Sequence, residues 1–72
     1  MNEQIKTAIK IVGSQKALGL ACGTTQQAVY KWLHGKSRVS PEYVPRIVAA
    51  TGGKIQAYEI RPDLPHLFEH GN

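Results

Sequence analysis

The chain has 72 residues, a formal net charge of +4 and a pI near 9.5, and 42% of its residues are hydrophobic. A chain of this length buries only about 60% of its unfolded surface, so we expect one small domain with a compact core rather than a disordered chain. The single cysteine, Cys22, excludes an internal disulfide, and no apolar run is long enough to span a membrane. We therefore expect a cytoplasmic protein without a signal peptide, and with Cys22 in its core.

The positive charge is concentrated in the first half of the sequence. Residues 1–38 hold six basic residues and one acidic residue, whereas residues 39–72 hold three basic and four acidic residues. A basic surface of this kind favours an anionic partner such as nucleic acid, but an ordinary solvated surface gives the same bias about as often. The charge by itself therefore selects no function.

The first two predicted helices lie within residues 3–22. Apolar residues spaced i, i+3, i+4, i+7 predict an amphipathic helix over residues 3–12, which Gly13 ends. Ser14 is a suitable N-cap for a second, short helix. The apolar residues expected on the inner side of this second helix are Ala17, Leu18, Ala21 and Cys22.

A third predicted helix follows almost immediately. Gly23 suits the left-handed position at the end of the second helix, and Thr24 or Thr25 suits the N-cap of the third. Trp32 is interpreted as a core residue rather than an exposed stacking platform. The residues spaced to face the core are Val29, Trp32 and Leu33. The residues on the opposite, outward side are Gln26, Gln27, Tyr30, Lys31 and His34.

The second half of the chain predicts one further helix and a weaker element. Residues 40–42 provide an N-cap serine, a first-turn proline and an early acid, and the helix that follows is expected to stop at residues 51–53. Pro45 is expected to distort its first turn. Residues 54–60 fit a short helix or a strand, with the helix favoured, and prolines exclude a regular helix over residues 61–65. The apolar residues of the fourth helix are Val44, Ile47, Val48 and Ala50.

Residues 15–34 contain the elements of a helix-turn-helix motif. The first helix of such a pair must be small where the second crosses it, and Gly19 meets this requirement. In such a pair, the N-terminal part of the later helix, here the predicted third helix, enters the major groove of DNA. A glutamine amide matches the donor and acceptor that adenine presents there, so a pair of glutamines in the first turn predicts base contacts. The candidate base contacts are Gln26, Gln27, Tyr30 and Lys31.

Phosphate contacts require N–H donors and cations on both sides of the recognition helix. Gln15 begins the second helix, where the helix dipole favours an anion, and residues 36–38 follow the third helix with two cations. The predicted phosphate contacts are Gln15, Lys16, Thr25, Lys36, Ser37 and Arg38. For Lys36 and Arg38 the alternative interpretation is a plain solvated loop. For Tyr30 it is surface packing, and for Gln26 and Gln27 it is solvation of a helix N-terminus.

The helix-turn-helix segment, residues 14–35, resembles that of the Cro and CI phage repressors, and its GTTQQ sequence resembles lambdoid repressors that read operators with paired glutamines. More loosely, residues 5–64 are similar to short Cro-like prophage regulators, including the YdaS type. The resemblance implies an all-α, compact lambda-repressor-like domain of about five short helices. It also implies a phosphate contact at Gln15 and base-proximal positions at Gln26, Gln27 and Lys31. The chain departs from the usual pattern at Gly19, Cys22 and Thr24.

The expected function is sequence-specific binding of double-stranded operator DNA by a homodimer that acts as a Cro-like transcriptional repressor. Residues 1–60 are predicted to form the DNA-binding domain, and residues 61–72 a tail. The candidate dimer contacts in the tail are Leu64, Leu67 and Phe68, which can instead cover the domain's own core. Two other functions stay open: an antitoxin or antirepressor type of protein-interaction module with secondary DNA binding, and DNA binding without sequence preference.

The sequence gives little support for catalysis or for a cofactor. Its carboxylates are sparse and scattered, it has no glycine-rich phosphate loop, and Cys22 is expected to be buried rather than paired with a histidine. His66 and His70, with Glu69, do not complete a metal site. We expect no enzymatic activity, no metal, no small-molecule ligand and no membrane partner.

Overall fold

The structure is a computed structural model and describes residues 1–64 and residue 67. Most of these residues lie in short helices. They are α1 (Glu3–Val12), α2 (Gln15–Cys22), α3 (Gln26–Leu33), a 3₁₀ turn (Pro41–Tyr43), α4 (Val44–Ala50) and α5 (Ala57–Ile60). Within these described residues there is no strand, and no helix is long and apolar enough to cross a bilayer. The prediction of a small all-α domain with about five short helices is confirmed.

Side-chain caps fix where the first three helices begin. An oxygen of Asn2, Ser14 or Thr25 in each case accepts a hydrogen bond, of 3.0 to 3.1 Å, from the backbone N–H three residues further on. A cap of this kind typically stabilises a helix by about 1 kcal/mol. Ser14 and Thr25 were predicted as caps, whereas Asn2 was not. The backbone N–H of Asn2 also donates to the Leu33 carbonyl at 2.8 Å, which joins the start of α1 to the end of α3.

The core lies where α1, α2, α3 and α4 meet, and α5 closes it from the side of α1 and α4. Its buried apolar residues are Ile5, Ala8, Leu18, Cys22, Val29, Trp32, Leu33, Val39, Val44, Ile47, Ile55 and Ile60. The three predicted core residues of α3 are all among them, and so is the cysteine. Trp32 is only 4% exposed, and its ring centroid lies 5.6 Å from that of Tyr43. The interpretation of Trp32 as a core residue is therefore confirmed.

The predicted inner side of α2 is partly wrong. Leu18 and Cys22 are buried, but Ala17 is only half-buried and Ala21 is exposed. The buried residue between Leu18 and Cys22 is Gly19, against which α3 packs. Because helix positions advance by about 100° per residue, an inner side centred on Leu18, Gly19 and Cys22 turns Ala21 towards solvent.

The start of the fourth helix is partly as predicted: the turn that leads into it is distorted, being 3₁₀, but Ser40 does not cap it. The chain enters α4 through the 3₁₀ turn, so Pro45 falls in the first turn of α4, where its missing N–H breaks no helical hydrogen bond. Ser40 makes no side-chain capping bond. The backbone N–H that its hydroxyl would accept, that of Tyr43, donates to the Ser40 carbonyl instead, at 2.9 Å.

The end of α4 and the element that follows it agree with the predictions. Thr51 ends α4, and its buried hydroxyl lies 3.0 Å from the carbonyl oxygens of both Ile47 and Val48. Ile55 is buried just before α5, so residues 54–60 hold the favoured short helix and not a strand.

Candidate nucleic-acid interface

Two glycines determine how closely α2 and α3 can approach and how tightly the chain turns between them. A Cβ atom at Gly19 would lie 3.0 Å from the carbonyl carbon and oxygen of Thr25, so only glycine fits there without a shift of the backbone. Gly23 has φ +72°, a left-handed conformation that glycine adopts without strain. The N–H of Thr24 then donates to the Gly19 carbonyl at 2.8 Å. Residues 23–25 therefore hold the N-terminus of α3 at a fixed position relative to α2.

Arg46 of α4 closes the same turn from a third helix. Its Nη1 donates to the Cys22 carbonyl at 3.1 Å, and a Cβ atom at Gly23 would come within 2.8 Å of that nitrogen. A cation at this point complements the negative end of the α2 dipole. Burial raises the pKa of the Cys22 thiol, and the Arg46 charge partly opposes that rise. The sequence prediction missed this contact because 24 residues separate its partners and no local pattern connects them.

The outward side of α3 carries all four predicted base-contact residues. We call this surface the α3 face; it consists of Gln26, Gln27, Tyr30, Lys31 and His34, all of them exposed. From the helical repeat, the last four of these lie within roughly 100° of arc, and Gln26 lies at the edge next to the turn. The structure thus places the predicted base contacts together on one solvent-facing surface.

Two aromatic rings on the α3 face are in contact. The ring centroids of Tyr30 and His34 are 4.2 Å apart, with 46° between the ring planes, and Tyr30 is 45% exposed. His34 is the C-cap residue of α3, and its backbone N–H donates to the Tyr30 carbonyl at 3.0 Å. The i, i+4 spacing of Tyr30 and His34 is visible in the sequence and indicates that the two rings are neighbours. The predicted base contacts nevertheless left His34 out.

The predicted phosphate contacts lie at the start of α2 and at both ends of α3. Gln15 lies half-buried at the first position of α2, followed by the exposed Lys16. The Thr25 side chain caps α3. Lys36 and Ser37 are exposed, and their backbone N–H groups both donate to the carbonyl at position 31, at 2.9 and 3.4 Å. The loop after α3 therefore folds back against the end of that helix, and Lys36 stays next to the helix end.

Arg38, the last predicted phosphate contact, is engaged in an ion pair that was not predicted. Its Nη1 lies 3.0 Å from Oδ2 of Asp63, although 76% of its side chain is exposed. Arg61 donates to both carboxylate oxygens of Asp63, at 2.9 and 2.8 Å, and to the carbonyl of Val39 at 2.8 Å. Asp63 thus holds two arginines, and Arg61 fastens the segment after α5 to the loop after α3.

The pKa of Asp63 is lowered from its ordinary value of 3.8 to about 2, mainly by the hydrogen bond from Arg61. The charges of Arg61 and Arg38 also lower this pKa. The same bond raises the pKa of Arg61. Because the folded-state pKa is the lower one, the carboxylate contributes stability that is fully present above pH 3.8 and is lost as the pH falls through about 2. At neutral pH the ion pair is fully charged.

The tail is described only in part. Leu64 is half-buried, and Leu67 is 54% exposed. Phe68, the third candidate dimer residue, lies outside the described residues, as do His66, Glu69 and His70. The dimer contact and the domain boundary after residue 60 therefore stay predictions.

Two short helices that pack through a glycine and are joined by a tight turn, with a polar face exposed on the second, have the arrangement of a helix-turn-helix domain. The chain belongs to the family described as "Bacterial toxin YdaS", whose model matches residues 5–66. It is also 33% identical, over 63 residues, to "Putative transcriptional regulator YdaS" of Escherichia coli (strain K12). The match covers 88% of this chain and 64% of that relative, so the chain spans less than two thirds of the relative's length. No solved structure matches the chain. The resemblance to the YdaS type is confirmed, and the one to Cro and CI repressors stays a prediction.

Proposed function

We propose that this protein is a Cro-like transcriptional repressor that binds double-stranded DNA sequence-specifically, with α3 in the major groove. The observation that carries the proposal is the α3 face, where side chains able to contact base edges are exposed together on a helix whose N-terminus the turn holds in place. The name of the Escherichia coli relative, "Putative transcriptional regulator YdaS", supports a role in regulation. The proposed role is a binding role in the cytoplasm, without catalysis.

The contacts divide by chemistry. Gln26 and Gln27 offer amides that match the N6 donor and N7 acceptor of adenine, and Lys31 can reach an acceptor on guanine or a phosphate. Along the chain, the backbone at the start of α2, beside Gln15, precedes the helix pair, and the cation of Lys36 follows it. Contacts from both ends to phosphates would set the register of α3 in the groove but would carry no sequence information.

We further propose that the protein acts as a homodimer with its contact in the tail, at Leu64, Leu67 and Phe68. One recognition helix contacts only a few base pairs, so a dimer reading two half-sites about one helical turn apart is the usual arrangement. Occupation of such a site where it overlaps a promoter would repress transcription.

Selection of bound duplexes from random DNA tests both proposals. We expect an enriched site that contains A·T pairs in two inverted half-sites, with centres about 10 base pairs apart. Enrichment of a single half-site would contradict the dimer and leave base recognition intact. Binding without enrichment of any sequence would contradict the repressor function and favour nonspecific DNA binding.

Neutralising Asp63 is expected to strengthen DNA binding. In Asp63→Asn the carboxylate no longer holds the Arg38 guanidinium, which becomes available to a phosphate. Affinity for both selected and random duplexes should rise several-fold at low salt, and the slope of log affinity against log salt should steepen by up to about one. Fluorescence anisotropy over a salt series measures both quantities.

Glu59→Gln is the matched control for Asp63→Asn, because it removes one negative charge from α5 and keeps an oxygen that can accept the hydrogen bond of the Gln56 N–H. A smaller gain is expected in this control. If the two variants gain equally, or if Asp63→Asn gains nothing, Arg38 does not contact phosphate.

One observation favours a second function, a protein-interaction module of the antitoxin or antirepressor type. Leu67 in the tail is 54% exposed, which leaves an apolar side chain open to a partner. Leu20 on α2, at 73%, is an exposed leucine outside the tail and provides a comparison. In pull-downs from cell extract, binding of a partner through the tail should be retained in Gln27→Ala and lost in Leu67→Asp. Leu20→Asp, on α2, is the control and should retain it. Loss of the partner in Gln27→Ala would place its binding on the α3 face and contradict this function.

A further inference from the structure

The rings of Tyr30 and His34 are part of the α3 face, the surface that would meet base edges if α3 entered the major groove. Tyr30 follows Gln26 by four residues and Gln27 by three, so on the helix surface it neighbours both. Its ring is 45% exposed, which leaves an apolar surface beside two amides in an otherwise polar region. A polar surface that only bound phosphate would gain nothing from this ring.

His34 restrains the tyrosine. Its ring lies 4.2 Å from the Tyr30 ring, centroid to centroid, at an angle of 46°, and its backbone is tied to the end of α3 by a 3.0 Å hydrogen bond from its N–H to the Tyr30 carbonyl. A tyrosine has two rotatable side-chain angles, and a neighbouring ring that favours one rotamer lowers the entropy lost when the side chain becomes ordered on binding. A ring held next to Tyr30 would thus lower the cost of ordering its side chain on DNA.

The chemistry of the groove indicates what such a ring would contact. Each adenine that a glutamine amide pairs with is itself paired to a thymine, and the C5-methyl group of thymine is the apolar group that the major groove presents. An apolar ring one turn away from two glutamines is thus placed to meet a thymine methyl in the same or the next base pair. Although tyrosine ends in a hydroxyl, its ring offers a methyl group a broader apolar surface than the short stem of a glutamine does.

We propose that Tyr30 contacts a thymine C5-methyl group of the bound site, and that His34 is a positioning residue that holds the Tyr30 ring for this contact. This inference rests on the proposed function and deepens it, because it adds thymine recognition to the adenine recognition of the glutamines.

The experiment replaces each thymine of the duplex selected from random DNA, one at a time, by deoxyuridine, which lacks only the methyl group. For the unaltered protein, one replacement in each half-site is expected to weaken binding about threefold to fivefold, the effect of one buried methyl group. Tyr30→Ala should abolish this sensitivity and Tyr30→Phe should keep it. His34→Ala should reduce it, and His34→Phe, which restores a ring next to Tyr30, should recover it.

Circular dichroism of each variant shows that it folds, and Lys31→Ala is the control: it should bind more weakly overall and still respond to the missing methyl group. Indifference of the unaltered protein to every deoxyuridine, or undiminished sensitivity in His34→Ala, would overturn the inference while the selected site upheld the proposed function. If no sequence is selected at all, the proposed function fails first, and the inference fails with it.

Discussion

Trp32→Ala is expected to remove about 3 to 5 kcal/mol of the free energy of unfolding, the usual cost of truncating a large buried aromatic residue. The indole is 4% exposed and packs against the Tyr43 ring at 5.6 Å, so the change leaves a cavity between α3 and the 3₁₀ turn. A domain of this size has a total stability of roughly 4 to 11 kcal/mol. A loss of this size removes most of the stability of a domain at the lower end of that range, so DNA binding should weaken as the unfolded fraction of the variant rises.

Urea denaturation followed by circular dichroism measures this loss, because the variant has no tryptophan to report by fluorescence. Tyr30→Ala is the matched control, an aromatic residue on the exposed side of the same helix. Because it loses only its contact with the His34 ring, it should cost about 1 kcal/mol, well below Trp32→Ala. A loss below about 1 kcal/mol in Trp32→Ala would mean that the indole is not part of the core.

Gln27→Ala is expected to weaken binding to the selected DNA site by about 1 to 3 kcal/mol and to relax the preference at one base pair, while binding to random DNA stays unchanged. The side chain is exposed near the middle of the α3 face, and removing it takes away an amide that can bond bidentately to adenine. Fluorescence anisotropy on the selected and random duplexes, at the same salt concentration, gives both affinities.

Lys36→Ala is the control for Gln27→Ala. Its exposed cation lies in the loop after α3, and a phosphate contact there should weaken binding to all duplexes about equally and reduce the salt slope by about one. Equal losses on selected and random DNA in Gln27→Ala would show that this glutamine does not read a base.

The local structure around the helix pair could be predicted because its causes lie close together in the sequence. Ser14 and Thr25 cap the helices that follow them, and Gly23 provides the left-handed turn, each within a few residues of its partner. The spacing of apolar residues on α3 likewise predicted its buried side. The wrong assignment of Ala21 arose because an eight-residue helix fits more than one inner side until its neighbour is known.

The contacts that could not be predicted join distant parts of the chain. Arg46 reaches the carbonyl of Cys22 from α4, and Asp63 reaches Arg38 across 25 residues. A single sequence gives an arginine no indication of which distant oxygen it will meet. These contacts matter for the candidate site, because one fixes the turn before α3 and the other decides how readily Arg38 meets a phosphate.

The central claim, that the α3 face reads base sequence, is tested most directly by the ratio of two affinities of the unaltered protein: for the site selected from random DNA and for a random duplex of the same length, at one salt concentration. A ratio on the order of 10³ or more is predicted, as for other specific DNA-binding proteins. A ratio near one would contradict base recognition and leave only electrostatic binding to the phosphate backbone.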